Sequence, residues 1–561
     1  MTKRKQKLDT GAGSEGVPAA VLQQAREVLA ANDRGCFTVP TAPLYPHQWL
    51  WDSAWIALGW AESDERRAWA ELESLFSAQW ADGMLPHIVF HSDEKTYFPG
   101  PDVWRTGTDP ASSGITQPPV VATVVRRLFE GAEDRELARR MVRALWPKLL
   151  AYHRWLYRAR DPEGTGLVAI LHPWESGMDN SPQWDDALAR VPIRGVGPAA
   201  GAAEDGAAAG AKTPARSETT AGAETPARAE TTAGAETAAD AKTAADAGTV
   251  ASAKTAADAE TAADAGTVAS AKTAADAETA ADAGTVASAK TAADAETTAD
   301  TGTAAGTEPT APNGHVIDLS ARKDLQHVDE AERPTDDDYR RYMSLVAQFR
   351  AAGYDPERLH DESPFCVVDV GFNALLHRAN LDLCALARAM NFDASEPESW
   401  VRRGQAAFEQ LWSEELGTYV SWDRRSGRPI SVAAAAGLLP LFAALPTPDR
   451  AARLAKTLEE WGRSVGRLVP STAPSDPRFE PRRYWRGPVW VVVNWLVWQG
   501  LRRYGFDALA RRVEKDTFAL VAREGFREYY DPRDGTGLGG RDFSWSAALL
   551  LHWTGRGRNA F

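Results

Sequence analysis

The chain has 561 residues, a formal net charge of −14, 21 Trp and three Cys. That length holds one large core or several average domains. The acidic balance, with no Lys/Arg cluster beyond the opening "MTKRKQK", argues against nucleic acid or an anionic membrane as the main partner. The basic start runs into "LDTGAGSEGVP" and not into an apolar stretch, so it does not read as a secretory signal. The apolar run "VWVVVNWLVW" is too short to span a bilayer. Cys36, Cys366 and Cys384 are few, odd in number and without metal-ligand spacing. The expectation is a cytoplasmic chain with reduced thiols, no metal and no cofactor.

In chain order, helical periodicity appears in "PAAVLQQAREVLAAND", "DSAWIALGWA", "DERRAWAELESLFSAQW", "PPVVATVVRRLFEGA" and "ELARRMVRALWPKLLAYHRWLYRA". The texture then changes. From about Gly195 to Gly314 the chain is almost only Ala, Thr, Asp, Glu, Gly and Lys. "AKTAADAETAADAGTVAS" begins at Ala253 and recurs at Ala271 and, degraded, at Ala289, a period of 18 residues. Each copy holds three acids and one Lys and almost nothing large to bury, so it cannot offset its ordering entropy. Residues 195–314 are expected to be a disordered low-complexity insertion between two parts of one catalytic barrel, residues 17–194 and 315–561. Beyond it the helical pattern resumes in "DDYRRYMSLVAQFRAA", "GFNALLHRANLDLCALARAM", "SWVRRGQAAFEQLWSEE", "SVAAAAGLLPLFAAL", "DRAARLAKTLEEW", "VWVVVNWLVWQGLRRYG", "FDALARRVEKDTFALVARE" and "SWSAALLLHWTG". Acidic glycine turns such as "DPEGTGL", "EELGTYV" and "DPRDGTGL" recur after helices. Helix, turn and short extended segment, repeated in pairs, predict an all-α toroid of helical hairpins. A single-layer solenoid would need a cleaner repeat.

In such a toroid the loops at one end of the inner helices carry function. The chemically dense loops are "YPHQWLWDS" (45–53), "DGMLPH" (82–87), "SGITQPPV" (113–120), "HPWESGMDNSPQWD" (172–185), "RRYWRGPVW" (482–490) and "FREYYDPRDGTG" (526–537). Indole faces cover the C–H face of a pyranose, while carboxylates, amides and Arg bond its hydroxyls. Cleaving a glycosidic bond takes two carboxyl groups, one protonated and one ionised. Asp179, in a Trp-flanked loop, suits the acid, because desolvation raises a carboxyl pKa. Glu528, among Phe526, Tyr529 and Tyr530, is the candidate in the second half. Helix capping or pairing with Arg explains most loop acids, so the residues alone leave both roles open.

Together "HPWESGMDNSPQWD", "WLWDSAW", "DGMLPH", "GITQPP", "YWRGPVW" and "EYYDPRDGTG…FSWSAAL" resemble glycoside hydrolase family 63 and its bacterial mannosylglycerate and glucosylglycerate hydrolases. Trehalases share the clan and a similar acid loop. The resemblance covers nearly all of the chain except the insertion and the extreme N-terminus. It implies an (α/α)6 barrel and an inverting mechanism, with Asp179 as acid and Glu528 as base. It also implies a sugar subsite of Trp49, Trp51, Asp52, Gln117, Tyr484, Trp485 and Gly487, with Tyr45 matching a tyrosine that helps hold glycerate. Trp174 and Asn180 are expected sugar contacts.

Plainer roles compete. Trp49 and Trp51 also suit a core, and Asp52 a helix cap. Glu175 is expected to support the acid loop, and His87 and His172 to be structural. Arg486 is expected to steady its loop or a carboxylate, and Asp185 and Asp186 to be solvated or capping. "DPRDGTG" lacks the ligand pattern of a calcium loop and reads as a turn. The implied activity is inverting hydrolysis of a small α-glycoside such as glucosylglycerate or mannosylglycerate. The alternatives are an α-glucosidase acting on oligosaccharides or trehalose, and a non-catalytic sugar-binding protein. The only partner implied is the small glycoside.

Overall fold

The computed structural model describes residues 17–91, 97–193 and 319–555, except 321 and 323. The chain divides into two units, Met1–Pro198 with Thr310–Phe561, and Ala199–Pro309. The second unit, and with it the expected disordered insertion, lies outside the described residues. All of the described elements belong to the first unit.

Six elements pack side by side in a closed ring. In order they are the helices Leu50–Trp60, Val121–Gly131 and Val370–Met390, the 3-10 segment Ala435–Leu441, and the helices Val491–Arg503 and Ser544–Thr554. The last packs back against the first. Five of the six are backed by an outer helix that lies against them. Glu65–Ser77 covers the first, Arg135–Arg160 the second, Ser395–Phe408 the third, Asp507–Glu524 the fifth and Ala19–Asn32 the sixth. Pro448–Ser464 follows the fourth and packs on the strand Thr418–Tyr419 beside it. This is the (α/α)6 barrel that the resemblance implies.

Sequence explains the two layers. The inner helices are apolar nearly all round, as a helix enclosed on every side must be. Every residue from Val491 to Leu501 is buried, as is every residue from Leu50 to Gly59. The run "VWVVVNWLVW" is therefore an inner wall. Among the described residues no helix is long and apolar enough to cross a membrane. Outer helices are two-faced, and two of them carry side-chain caps. Asp64 accepts from the Arg67 amide and Asp134 from that of Leu137, satisfying donors that a helix start leaves open.

Two expected helices differ. "SVAAAAGLLPLFAAL" forms only the 3-10 segment Ala435–Leu441, because Pro440 inside it removes a backbone donor. "SWVRRGQAAFEQLWSEE" stays α-helical to Phe408 and then becomes a 3-10 turn and a strand, with Trp412 paired to Tyr419. The strands are short, and several lead directly into inner helices. Gln48–Trp49 precedes the first, Val367–Val368 the third, and the hairpin Arg527–Tyr530/Gly537–Arg541 the sixth. Side chains at the starts of the inner helices therefore gather at one mouth of the barrel.

Candidate active site

At that mouth, Gln48 and Trp49 pair with Val89 and Ile88, which fixes where Trp49 and the first helical residues Trp51 and Asp52 project. Buried Glu71, on the outer helix behind, holds this corner. Its carboxylate accepts from Ser53 Oγ at 2.6 Å, Thr38 Oγ1 at 2.8 Å and Arg67 at 2.8 Å. Asp52 lies in the first turn of a helix whose N-cap is Trp49, and its buried carboxyl lines a cavity.

The loop carrying Asp179 is a 3-10 turn, Pro173–Ser176, that ends at Gly177 with φ +69°. A Cβ on Gly177 would stand 2.7 Å from the Trp51 ring, so only glycine lets this turn close against that indole. Glu175 braces the loop from behind. Fully buried, it accepts from the Leu171 amide at 2.7 Å, from Arg160 at 2.7 Å and from the Thr116 amide at 3.4 Å. It does not line the cavity. Tyr342 donates to the Asp179 carbonyl at 3.0 Å.

Glu528 lies where the register of its hairpin shifts, between Arg527 and Tyr529. Irregularities of this kind re-aim a side chain. One carboxylate oxygen accepts from Tyr45 OH at 2.9 Å and the other from the Gly540 amide at 2.9 Å. Arg333 stands 3.4 and 3.5 Å from the two oxygens. Its guanidinium also lies over the Tyr484 ring, 4.2 Å from the centroid, and donates to Tyr45 OH.

The cavity these loops enclose is walled by indoles and phenols. Trp485 stacks on Trp490 at 3.7 Å with planes 1° apart, and Trp51 meets Trp545 edge-on at 5.1 Å. Its lining includes Tyr45, Trp49, Trp51, Asp52, Gln117, Trp174, Asp179, Tyr484, Trp485 and Glu528. These are ten of the twelve residues expected at the site, brought together from both halves of the chain.

The other two stand behind the wall. The Asn180 amide oxygen accepts from the Trp485 backbone N–H at 2.9 Å, joining the acid loop to the "YWRGP" loop. Gly487 packs on backbone, where a Cβ would come within 2.7 Å of the Glu480 carbonyl. Asp185, expected to be solvated or capping, forms a two-pronged ion pair with Arg486 at 2.7 and 2.9 Å. His172 accepts from the Trp174 amide at 3.1 Å, and burial pushes its pKa down to about 3. It is structural, as expected. His87, whose Nδ1 lies 2.6 Å from Ser113 Oγ, is likewise lowered by burial, although its ring reaches the cavity lining.

Sequence reasoning missed Tyr97, Phe98, Asp324, Arg333 and Tyr339, all of which line the cavity. Arg333 is the most consequential, being the one arginine of the lining among the described residues. "DEAERPTDDD" around it reads as solvated charge and lacks the aromatic signature of the other site loops. Trp490 and Trp545 also line the cavity; they lie inside two of the motifs that carry the family resemblance, and their indoles were the signal that could have found them.

The electrostatics differ between the carboxyls. Burial among the rings raises Asp179 to about 7, with the Glu528 charge adding to the rise and Arg333 and Tyr484 opposing it. Burial raises Asp52 well above the carboxylate range, helped by Glu528 and Asp179. The cavity thus holds a carboxyl poised near neutrality, a second that resists ionisation, and Glu528 beside a fixed cation. A desolvated acid and a charge-compensated carboxylate in one aromatic cleft form the constellation that glycosidic hydrolysis uses.

Comparisons with known proteins agree. Residues 45–546 match the model of the mannosylglycerate hydrolase MGH1-like glycoside hydrolase domain. The chain is 46% identical to the mannosylglycerate hydrolase of Thermus thermophilus over 534 residues, covering 95% of this chain and 100% of that one. It is 29% identical to the glucosylglycerate hydrolase of Mycolicibacterium hassiacum, covering 96% and 98%. Among solved structures, that of a family 63 mannosylglycerate hydrolase from Thermus thermophilus with Tris and D-glycerate superposes with a TM-score of 0.72 at 45% identity, covering 95% and 100%. The chain belongs to the mannosylglycerate hydrolase-like glycoside hydrolases of family 63 and is a glycoside hydrolase.

Proposed function

We propose that this enzyme cleaves an α-linked sugar from glycerate in a single inverting displacement, with Asp179 as general acid and Glu528 as general base. The observation that carries the reading is the placing of Asp179, raised to about 7 by burial, in the same aromatic cavity as Glu528. Near neutral pH Asp179 exchanges its proton readily, as an acid matched to its working pH must. Glu528 takes a proton from water as that oxygen attacks the anomeric carbon. The bond to the glycerate oxygen breaks, and Asp179 delivers its proton there. Asp52, whose carboxyl burial pushes towards the protonated form, bonds a sugar hydroxyl.

Arg333 favours an anionic leaving group. Its contacts to Glu528 are long, at 3.4 and 3.5 Å, so a substrate carboxylate can draw the guanidinium towards itself and gain a stronger charge-assisted bond. The binding of D-glycerate by a structural relative supports the same assignment.

The test is a hydrolysis screen over glucosylglycerate, mannosylglycerate, trehalose, kojibiose and nigerose, with proton NMR of the first-formed sugar before mutarotation. Turnover of a glycerate glycoside with initial release of the β-anomer is expected. An initial α-anomer would overturn inversion and make one of the two carboxylates a nucleophile. Turnover confined to the disaccharides would select the α-glucosidase alternative.

A further inference from the structure

The opposite mouth of the barrel, where inner helices end, contains a second cavity of about 510 Å³. Four arginines line it, Arg126, Arg127, Arg378 and Arg503. Two of them are paired. Buried Asp382 takes Arg126 at 2.7 Å and Arg378 at 2.9 Å, and Glu130 takes Arg126 at 2.8 Å. The remaining carboxylates of the lining are engaged elsewhere, Glu62 with His552 at 2.9 Å and Glu65 with the amides of Glu133 and Asp134.

Arg127 and Arg503 differ from these. Among the described residues neither has a carboxylate within ion-pairing distance. Arginines near helix C-termini ordinarily bond the open carbonyls there, yet among the described residues Arg127 donates only to the Gln499 side chain, with its guanidinium over the Trp495 ring at 4.9 Å. Its Nη1 is enclosed without a partner. Burial pushes the Arg127 pKa down to about 10; the nearby carboxylates of Asp382 and Glu130 oppose the fall, and the cations of Arg378 and Arg126 add to it. Arg503 is exposed at the mouth of this cavity. A half-buried guanidinium with no carboxylate in direct contact, beside Asp382 that is already shared by Arg126 and Arg378, gains from an anion that can reach it.

We propose that this cavity binds a phosphate-bearing anion, inorganic phosphate or a small phosphate monoester, between Arg127 and Arg503. An oxyanion can bridge the two arginines that lack a direct ion-pair partner among the described residues, and the forked N–H groups of Arg fit phosphate oxygens. The volume exceeds what a lone phosphate fills and lies in the range of small-ligand sites, so a polyol or sugar part fits behind the phosphate. The site is separate from the catalytic cavity, which lies at the starts of the same helices.

Isothermal titration of the full-length chain in phosphate-free buffer tests this, with sodium phosphate and glycerol 1-phosphate as probes and sodium chloride at equal ionic strength as control. One saturable site is expected for at least one of the two phosphates, weakened about tenfold or more in Arg127→Gln and Arg503→Gln, as loss of a charged hydrogen bond gives, and unchanged in Arg333→Gln. Because Arg503 is exposed, Arg503→Gln decides the matter even where Arg127→Gln fails to fold. Binding of the monoester alone identifies an organic phosphate; binding of both identifies the phosphate group as sufficient. Absence of a saturable site, a response to chloride of the same size, or retention of binding in Arg503→Gln overturns the proposal. Loss of binding in Arg333→Gln also overturns it, since the anion then sits in the catalytic cavity.

Discussion

Asp179 and Asp52 share one cavity and one cause of perturbation, burial among aromatic rings, which raises both and brings Asp179 to about 7. Activity reads this in two ways. Replacing either partner of the proposed proton transfer, in Asp179→Asn or Glu528→Gln, should lower kcat/KM by about 10²–10⁴-fold with the far-UV spectrum unchanged. In the wild type, activity should fall as pH rises through about 7, because the acid must hold its proton. The stability consequence has its own sign. A carboxyl raised from 3.8 to about 7 on folding makes the folded state bind more protons between those values, so its contribution to stability is lost as pH rises through that window. Asp179→Asn should therefore melt above the wild type at pH 8, with the gap closing towards pH 4; equal melting at both would refute the burial of this carboxyl. Both residues were legible in the sequence because aromatics flank them. Arg333 was not, since only folding carries it from a charged, Trp-free stretch to within 3.4 Å of Glu528.

The acid loop works as a unit because Glu175 ties it to Arg160 and to the backbone of Leu171, in a pair whose side chains are 3% and 0% exposed. Breaking a buried pair leaves an uncompensated charge, at a cost of about 3–5 kcal/mol. Glu175→Gln should accordingly lower the melting temperature sharply and slow turnover, yet leave the alkaline limb of the pH profile where Asp179 puts it. Rescue of Glu175→Gln, but not of Asp179→Asn, by a substrate with a good leaving group would reverse the two roles. Most helices could be read from their apolar spacing, because the inner helices are buried along most of their length and the outer ones on one face. The exception, Ala435–Leu441, has the right composition, but Pro440 limits it to a 3-10 turn, a backbone effect that hydrophobic spacing does not register.

At the scale of the molecule, the segment that sequence marks as an insertion offers almost no apolar surface to bury. Replacing residues 200–310 with a short Gly-Ser linker should leave the melting temperature nearly unchanged in calorimetry; a drop of several degrees would mean that the repeat packs on the barrel. The ring itself was implied by resemblance, since pairing of its first and last helices leaves no local trace in the chain. That pairing sets a condition on biosynthesis. Leu50–Trp60 can meet Ser544–Thr554 only after the chain through Thr554 has left the ribosome, and Glu528 arrives with the hairpin just before that helix. Nascent chains must therefore wait with an open, indole-rich seam, a state prone to aggregation. A translation product that stops before Ser544–Thr554 cannot hold Asp179 and Glu528 within a closed wall.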